Sequence, residues 1–193
     1  PRYRAEDPVE TALGIVAAPE RWQAEPLLWV PFVPLRELLG MSPTATHVSY
    51  DELLTTRALM RRLPAIVEKQ QRDEKLTMLE HETMDVFDRF VAFSNLLEQK
   101  LALVPPPTDR AREWLPILHP AGYPQERQRA LRDAWSTFVA ALRGELPEAI
   151  ERSARELSGL LQAANPAASP ARWRLRREVG YHRFRPVQVA VLL

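Results

Sequence analysis

A hydrophobic stripe running from Leu79 to Leu101 constrains this chain more than any other feature. Leu79, Thr83, Val86, Phe90, Phe93 and Leu97 recur at steps alternating between four and three, and Phe87, Val91 and Leu101 widen the same face. That spacing belongs to an amphipathic helix with one side against a core. The expectation is one very long helix from Pro64 to Leu101, roughly 55 Å long at about 1.5 Å per residue. Glu68 to Lys75 inside it is polar all round. Two accounts compete there, a solvated length projecting beyond the core and a break between two helices. The Glu68/Arg72 pair at i, i+4 favours the first.

Shorter elements pack around this one. Asp7-Pro8 starts a helix carrying Val9, Ala12, Leu13 and Val16, which ends near Pro19. Three prolines between Pro26 and Pro34 exclude a regular helix or a central strand. The stretch from Trp22 to Pro34 therefore reads as an extended arm laying Leu27, Trp29, Val30 and Phe32 on the core. Leu35 to Leu39 is a helical turn stopped by Gly40. Ser49 and Glu52 form a capping box for a helix with Leu53, Leu54, Leu59 and Met60, ending at Leu63-Pro64. Val104 to Pro124 holds six prolines around Trp114, Ile117, Leu118 and Tyr123. It reads as a strap over a hydrophobic seam or as a functional loop. Gln125–Leu142 and Pro147–Ala164 are amphipathic helices, and Ser169-Pro170 restarts a last one. The fold class is all-α: an irregular helical bundle built around one long helix, with a proline-rich extended arm and strap.

With no cysteine in the chain, disulfides, thiolate metal sites and a cysteine nucleophile are excluded for these residues. A formal charge of +1 argues against a surface that is basic all over. No glycine-rich phosphate loop and no Gly-x-Ser-x-Gly elbow occur. His81 and Asp85 share a helix face, but no third ligand accompanies them, so two solvated side chains is the better reading. His47, His119 and His182 stand in unlike surroundings, each more in keeping with a surface residue than with a haem ligand. No catalytic residue, cofactor-binding residue or metal ligand is assigned. The sharpest charge feature is Arg172 to Arg185, with six arginines, one acid and three aromatics. It fits a juxtamembrane helix on lipid head groups, nucleic-acid contact, or arginine stems covering apolar neighbours. The apolar run Pro186–Leu193 directly after it favours the membrane and disfavours nucleic acid. On pattern alone that run reads equally as a last buried helix turn or as the opening of a spanning helix; with the arginines before it, residues 1–185 are expected to form a helical extramembrane domain and 186–193 the start of a truncated transmembrane helix.

Several short pieces carry a resemblance: Asp7-Pro-Val-Glu-Thr-Ala-Leu13, Trp22 with Pro26-Leu-Leu-Trp-Val30, and His47-Val-Ser-Tyr-Asp-Glu-Leu53. Further on come Leu103-Val-Pro-Pro106, Trp114-Leu-Pro116, Asn165-Pro166 and Arg177-Glu-Val-Gly-Tyr-His-Arg-Phe-Arg-Pro186. Together they resemble the extramembrane segment of bacterial system II cytochrome c biogenesis proteins, membrane cytochrome c synthetases that deliver haem and join it to apocytochrome c. The last piece departs from the family's pattern, with His182 in place of Asn and Val187 in place of Phe. The resemblance implies a domain on the extracytoplasmic face of the bacterial inner membrane, tethered by helices and joined to membrane-embedded cytochrome c biogenesis subunits or apocytochrome c. Any haem lyase chemistry would belong to the parent assembly, since the tryptophan-rich haem motif is not among these residues.

The resulting expectation is a non-catalytic accessory domain that docks partners. Trp29, Trp114 and Tyr123 are the candidate apolar anchors, because aromatic residues dominate interface hot spots. Arg172, Arg174, Arg176, Arg177, Glu178, Tyr181 and Pro186 are the candidate juxtamembrane residues. The alternatives are a soluble α-helical adaptor unrelated to haem and an Arg-rich nucleic-acid-binding domain.

Overall fold

Asp7 accepts a hydrogen bond from the Val9 N–H at 2.8 Å and so caps α1, Pro8–Ala17. In the computed structural model, which describes residues 7–108 and 113–168, seven more helices follow, with two pairs of very short strands. The all-α expectation holds. The proline-rich arm is divided into α2 (Pro19–Gln23), strand β1 (Leu28–Trp29) and α3 (Val33–Leu38), with Gly40 at φ 71° ending the last turn. Strand β2 (His47–Val48) pairs antiparallel with β1, and the capping box of Ser49 and Glu52 then opens α4, Tyr50–Thr56.

Two helix boundaries differ from expectation. Arg57 adopts a left-handed backbone, φ 51°, which turns the chain after α4. The next helix, α5, runs Ala58–Gln71 with the exposed Pro64 inside it, where a break was expected. The long helix itself is two helices. Asp73 at φ 56° turns the chain, and α6 restarts at Met78–Leu97 behind a second capping box, Thr77 with Glu80. The polar stretch at Glu68–Lys75 therefore contains the break, its first four residues still in α5, and Arg72 does pair with Glu68 as the spacing suggested.

This turn is locked by charge. Lys69 of α5 reaches Glu80 of α6 at 2.6 Å. That hydrogen bond, followed by the Thr77 main-chain and side-chain donors, holds the Glu80 carboxyl down to about 2. Folding thus favours the ionised form. The contribution is fully present above the ordinary value of 4.5 and is lost as pH falls through about 2. Denaturation of wild type and Glu80→Gln side by side is expected to give a stability gap that is constant above about pH 5 and closes below 4.5. A gap independent of pH down to 2 would contradict the assignment.

Helix α6 turns its stripe inward. Val86, Phe90, Phe93 and Leu97 join Leu28, Val30, Leu35, Leu53 and Leu59 in a first core, with Tyr50 stacked on Phe90 at 4.8 Å. A second core lies under the strap. There Val104, Ile117, Tyr123, Leu131, Trp135 and Leu157 pack between α7 (Gln125–Arg143) and α8 (Pro147–Ala164). Helix α1 contacts both α6 and α7, and Leu96 packs against both cores. Gln99, left-handed at φ 55° just past α6, accepts from the Trp135 indole at 2.9 Å and donates to the Val16 carbonyl. One polar side chain thus joins the end of α6 to α1 and α7.

The strap is a cover, but not with all the residues expected. The strap begins at the end of strand β3 (Ala102–Val104), and its middle forms β4 (Leu115–Pro116), paired antiparallel with β3 across an irregular register. Pro105 and Pro120 are fully buried. The Tyr123 hydroxyl donates to the Pro105 carbonyl at 2.9 Å, and Asn165 beyond α8 donates to the Pro106 carbonyl at 2.8 Å. Proline carbonyls keep their need for donors although proline itself donates nothing. These two side chains supply them. Tyr123→Phe, which strands one buried carbonyl, is expected to lower unfolding free energy by about 1–2 kcal/mol without altering the fold. Chemical denaturation measures this, and an unchanged midpoint would contradict it.

Among the described residues no helix is long and apolar enough to cross a membrane. The helix expected from Ser169, the Arg172–Arg185 cluster and Pro186–Leu193 lie outside the described residues.

Candidate functional site

Alternation along the arm decides which side chains meet solvent. Leu28 and Val30 are buried while Trp29 between them is 43% exposed. Trp29 therefore faces out, where the sequence suggested that it lies on the core with its neighbours. A period of two does this in any strand with one covered face.

The register pairs Leu28 with Val48 and Trp29 with His47. Both members of the first pair are buried and both members of the second are exposed. The Val30 N–H donates to the Thr46 carbonyl at 2.8 Å. That bond makes Trp29↔His47 a non-exchanging antiparallel pair, the type that brings two side chains closest. Indole and imidazole are thereby neighbours on the solvent face.

Helix α6 adds a cation. Arg89 lies 5.3 Å from the Trp29 ring centroid, and its Nη1 donates to the Trp29 carbonyl at 3.0 Å. The guanidinium fixes the ring by a cation–π contact and closes the outer edge of β1. His47 Nδ1 is hydrogen-bonded to the Thr46 hydroxyl at 3.0 Å.

On the other side of His47 lies an open groove of about 560 Å³ between the loop after α3, strand β2 and helix α4. Leu39, Met41, Val48 and Leu53 contribute apolar wall, and Asp51 and Glu52 contribute carboxylates; no Lys or Arg lines it. Glu52 is already engaged, accepting from the Ser49 N–H and hydroxyl, which leaves Asp51 as the carboxylate without such a commitment.

Arg36 shapes this groove from behind. It is 8% exposed, and its Nη1 donates to the carbonyls of Pro43 and Ala45 at 3.0 and 3.3 Å. Its Nη2 donates to the Pro31 carbonyl at 3.3 Å. A planar fork can serve several acceptors at once, as no other side chain can. The loop thus folds around a guanidinium.

The three anchors named from the sequence do not come together. Trp29 sits on the first core, while Trp114 immediately precedes β4 on the second and is also 43% exposed. Tyr123 is 6% exposed and bonded to the strap, so it is an interior pin and not a surface anchor. Burial raises its hydroxyl pKa, partly offset by Arg127 beside the ring. His81 and Asp85 are exposed on α6, His119 is exposed on the strap, and among the described residues no group of three metal-ligating side chains forms. The candidate juxtamembrane residues Arg172, Arg174, Arg176, Arg177, Glu178, Tyr181 and Pro186 lie outside the described residues.

Sequence reasoning missed His47 as the neighbour of Trp29, and Arg89 as its clamp. Strands of two residues carry too little pattern to reveal a register. No protein-family model and no curated protein matches the chain.

Proposed function

We propose that this chain is a non-catalytic docking domain of a membrane haem-delivery and cytochrome c synthetase complex, on the extracytoplasmic face of the bacterial inner membrane. Its Trp29–His47 face engages unfolded apocytochrome c or a membrane-embedded biogenesis subunit. The observation that carries the docking part is the exposed indole held rigid by Arg89 beside a groove with apolar walls. A large aromatic side chain kept in one orientation loses little freedom on binding, as an interface anchor requires.

Support for the family comes from the resemblance, together with where its pieces lie. Asp7-Pro8 is the cap of α1. Pro26–Val30 and His47–Leu53 meet as β1 and β2, and Leu103–Pro106 and Trp114–Pro116 meet as β3 and β4. Asn165 is hydrogen-bonded to Pro106. The segment from Arg172 to Pro186 would then lead to the membrane through lipid head groups, with haem handled elsewhere in the assembly.

Deleting the gene from a cell that makes c-type cytochromes tests the reading. Loss of covalently bound haem in denaturing gels, with b-type haem retained, is expected. Unchanged c-type haem would overturn the family assignment.

A further inference from the structure

We infer that the outer edge of β2 accepts a short extended segment of basic and apolar polypeptide as a third strand. This rests on the docking reading and names what the groove takes. The argument starts from main-chain hydrogen bonds. Because Trp29↔His47 is the non-exchanging pair, the N–H and C=O of His47 point away from β1, as do those of residues two positions either side. Ala45 is satisfied there, its N–H by the Ser42 carbonyl at 3.0 Å and its carbonyl by Arg36. Ser49 is satisfied as well, its N–H by Glu52 at 2.8 Å and its carbonyl by the Leu53 N–H at 3.2 Å. Among the described residues, the His47 N–H and C=O have no partner.

One donor and one acceptor, side by side and flanked by closed positions, belong to His47, a residue that lines the groove. Such an edge is the template that strand-adding partners use, with the main chain giving affinity and alternate side chains giving choice. A residue placed opposite His47 in antiparallel pairing exchanges two hydrogen bonds with it. Its neighbours on either side point to the opposite face of the ribbon, the face of Val48, where Leu39 and Leu53 also line the groove. The closed positions at Ala45 and Ser49 limit the added strand to about three residues.

Charge selects the segment. Asp51 and Glu52 line the groove, no Lys or Arg is among its lining residues, and Arg36 behind it is turned to the loop carbonyls, so a basic residue in the added strand is attracted and an acidic one repelled. The occupant is therefore an unfolded stretch with apolar, basic and apolar residues in sequence.

The test uses the full 193-residue chain and a fluorescein-labelled peptide, Thr-Val-Lys-Val-Thr, read by fluorescence polarisation. Replacing its lysine by glutamate, or N-methylating its three central amides, is expected to weaken binding by about tenfold or more. Asp51→Asn, an exposed substitution, is expected to weaken the lysine peptide severalfold and leave the fold intact. Hydrogen exchange at the His47 amide is expected to slow when the peptide binds. Equal binding of the N-methylated peptide, an unaltered His47 exchange rate, or no binding of the lysine peptide would overturn the inference. If apocytochrome c is still captured under any of those results, docking survives and only strand addition falls; if that capture is absent too, both fall.

Discussion

Trp29→Ala is expected to weaken capture of unfolded apocytochrome c by the full chain by roughly 30- to 1,000-fold, the 2–4 kcal/mol range of interface hot spots. Three features put the effect there. The ring is 43% exposed while both chain neighbours are buried, so its position is inherited from a rigid strand. Arg89 holds its orientation by a stacked guanidinium and a bond to its own carbonyl. His47 stands beside it across the ribbon, and the groove opens directly behind. Because the indole is not a core residue, the same substitution is expected to change unfolding free energy by less than about 1 kcal/mol. Trp114→Ala supplies the control, since that ring is equally exposed but lies next to β4 on the other core. Titration calorimetry with reduced apocytochrome c reads both variants. Equal affinity for wild type and Trp29→Ala would contradict the assignment.

The largest effect on stability is expected from Arg36→Met. The substitution keeps an unbranched side chain but removes the donors for three carbonyls, those of Pro31, Pro43 and Ala45. A fully buried acceptor left without a partner costs about 1–3 kcal/mol, and these three are only partly buried, so water and loop relaxation recover much of it. A loss of about 3 kcal/mol is expected, lowering the melting temperature by roughly 6–12 °C for a chain of this size. Arg36→Lys should fall between, because one ammonium cannot reproduce a planar fork. The two substitutions separate stability from binding. Trp29→Ala should spare the fold and lose the partner, whereas Arg36→Met should lose part of the fold and loosen the groove with it. Thermal denaturation of the Arg36 variants showing no shift would mean that the loop does not depend on the guanidinium.

Local chemistry was legible in the sequence, and long-range pairing was not. Asp7 and Ser49 announced the helices they cap, and the α6 stripe is buried at Thr83, Val86, Phe90, Phe93 and Leu97, whereas Val91, which the spacing placed on the same face, is exposed. The break between α5 and α6 had a readable sign that the continuous stripe obscured. Thr77 and Glu80 have capping-box spacing, and a helix has no use for such a box in its interior. Trp29 could also have been turned outward from sequence, since Leu-Trp-Val in a covered strand sends its middle member to solvent. Arg36 could not have been read. Its acceptors are carbonyls at positions 31, 43 and 45, which any residue type supplies. The pairing of Trp29 with His47 was equally hidden, because two-residue strands separated by a helix leave no periodic trace. Tyr123 looked like an anchor by residue type alone; the Pro105 carbonyl, buried by the strap's own prolines, claims its hydroxyl.

Photo-crosslinking from position 29 in membranes tests most directly that this face docks a partner. Trp29 is replaced by benzoylphenylalanine, an aromatic side chain of similar reach, in the full-length protein, and Val91 on the solvent side of α6 receives the same probe as a control. An adduct with apocytochrome c or a cytochrome c biogenesis subunit from position 29, and none from position 91, is the expected result. Adducts from position 91 alone, or from neither position while c-type cytochromes are being made, would contradict it.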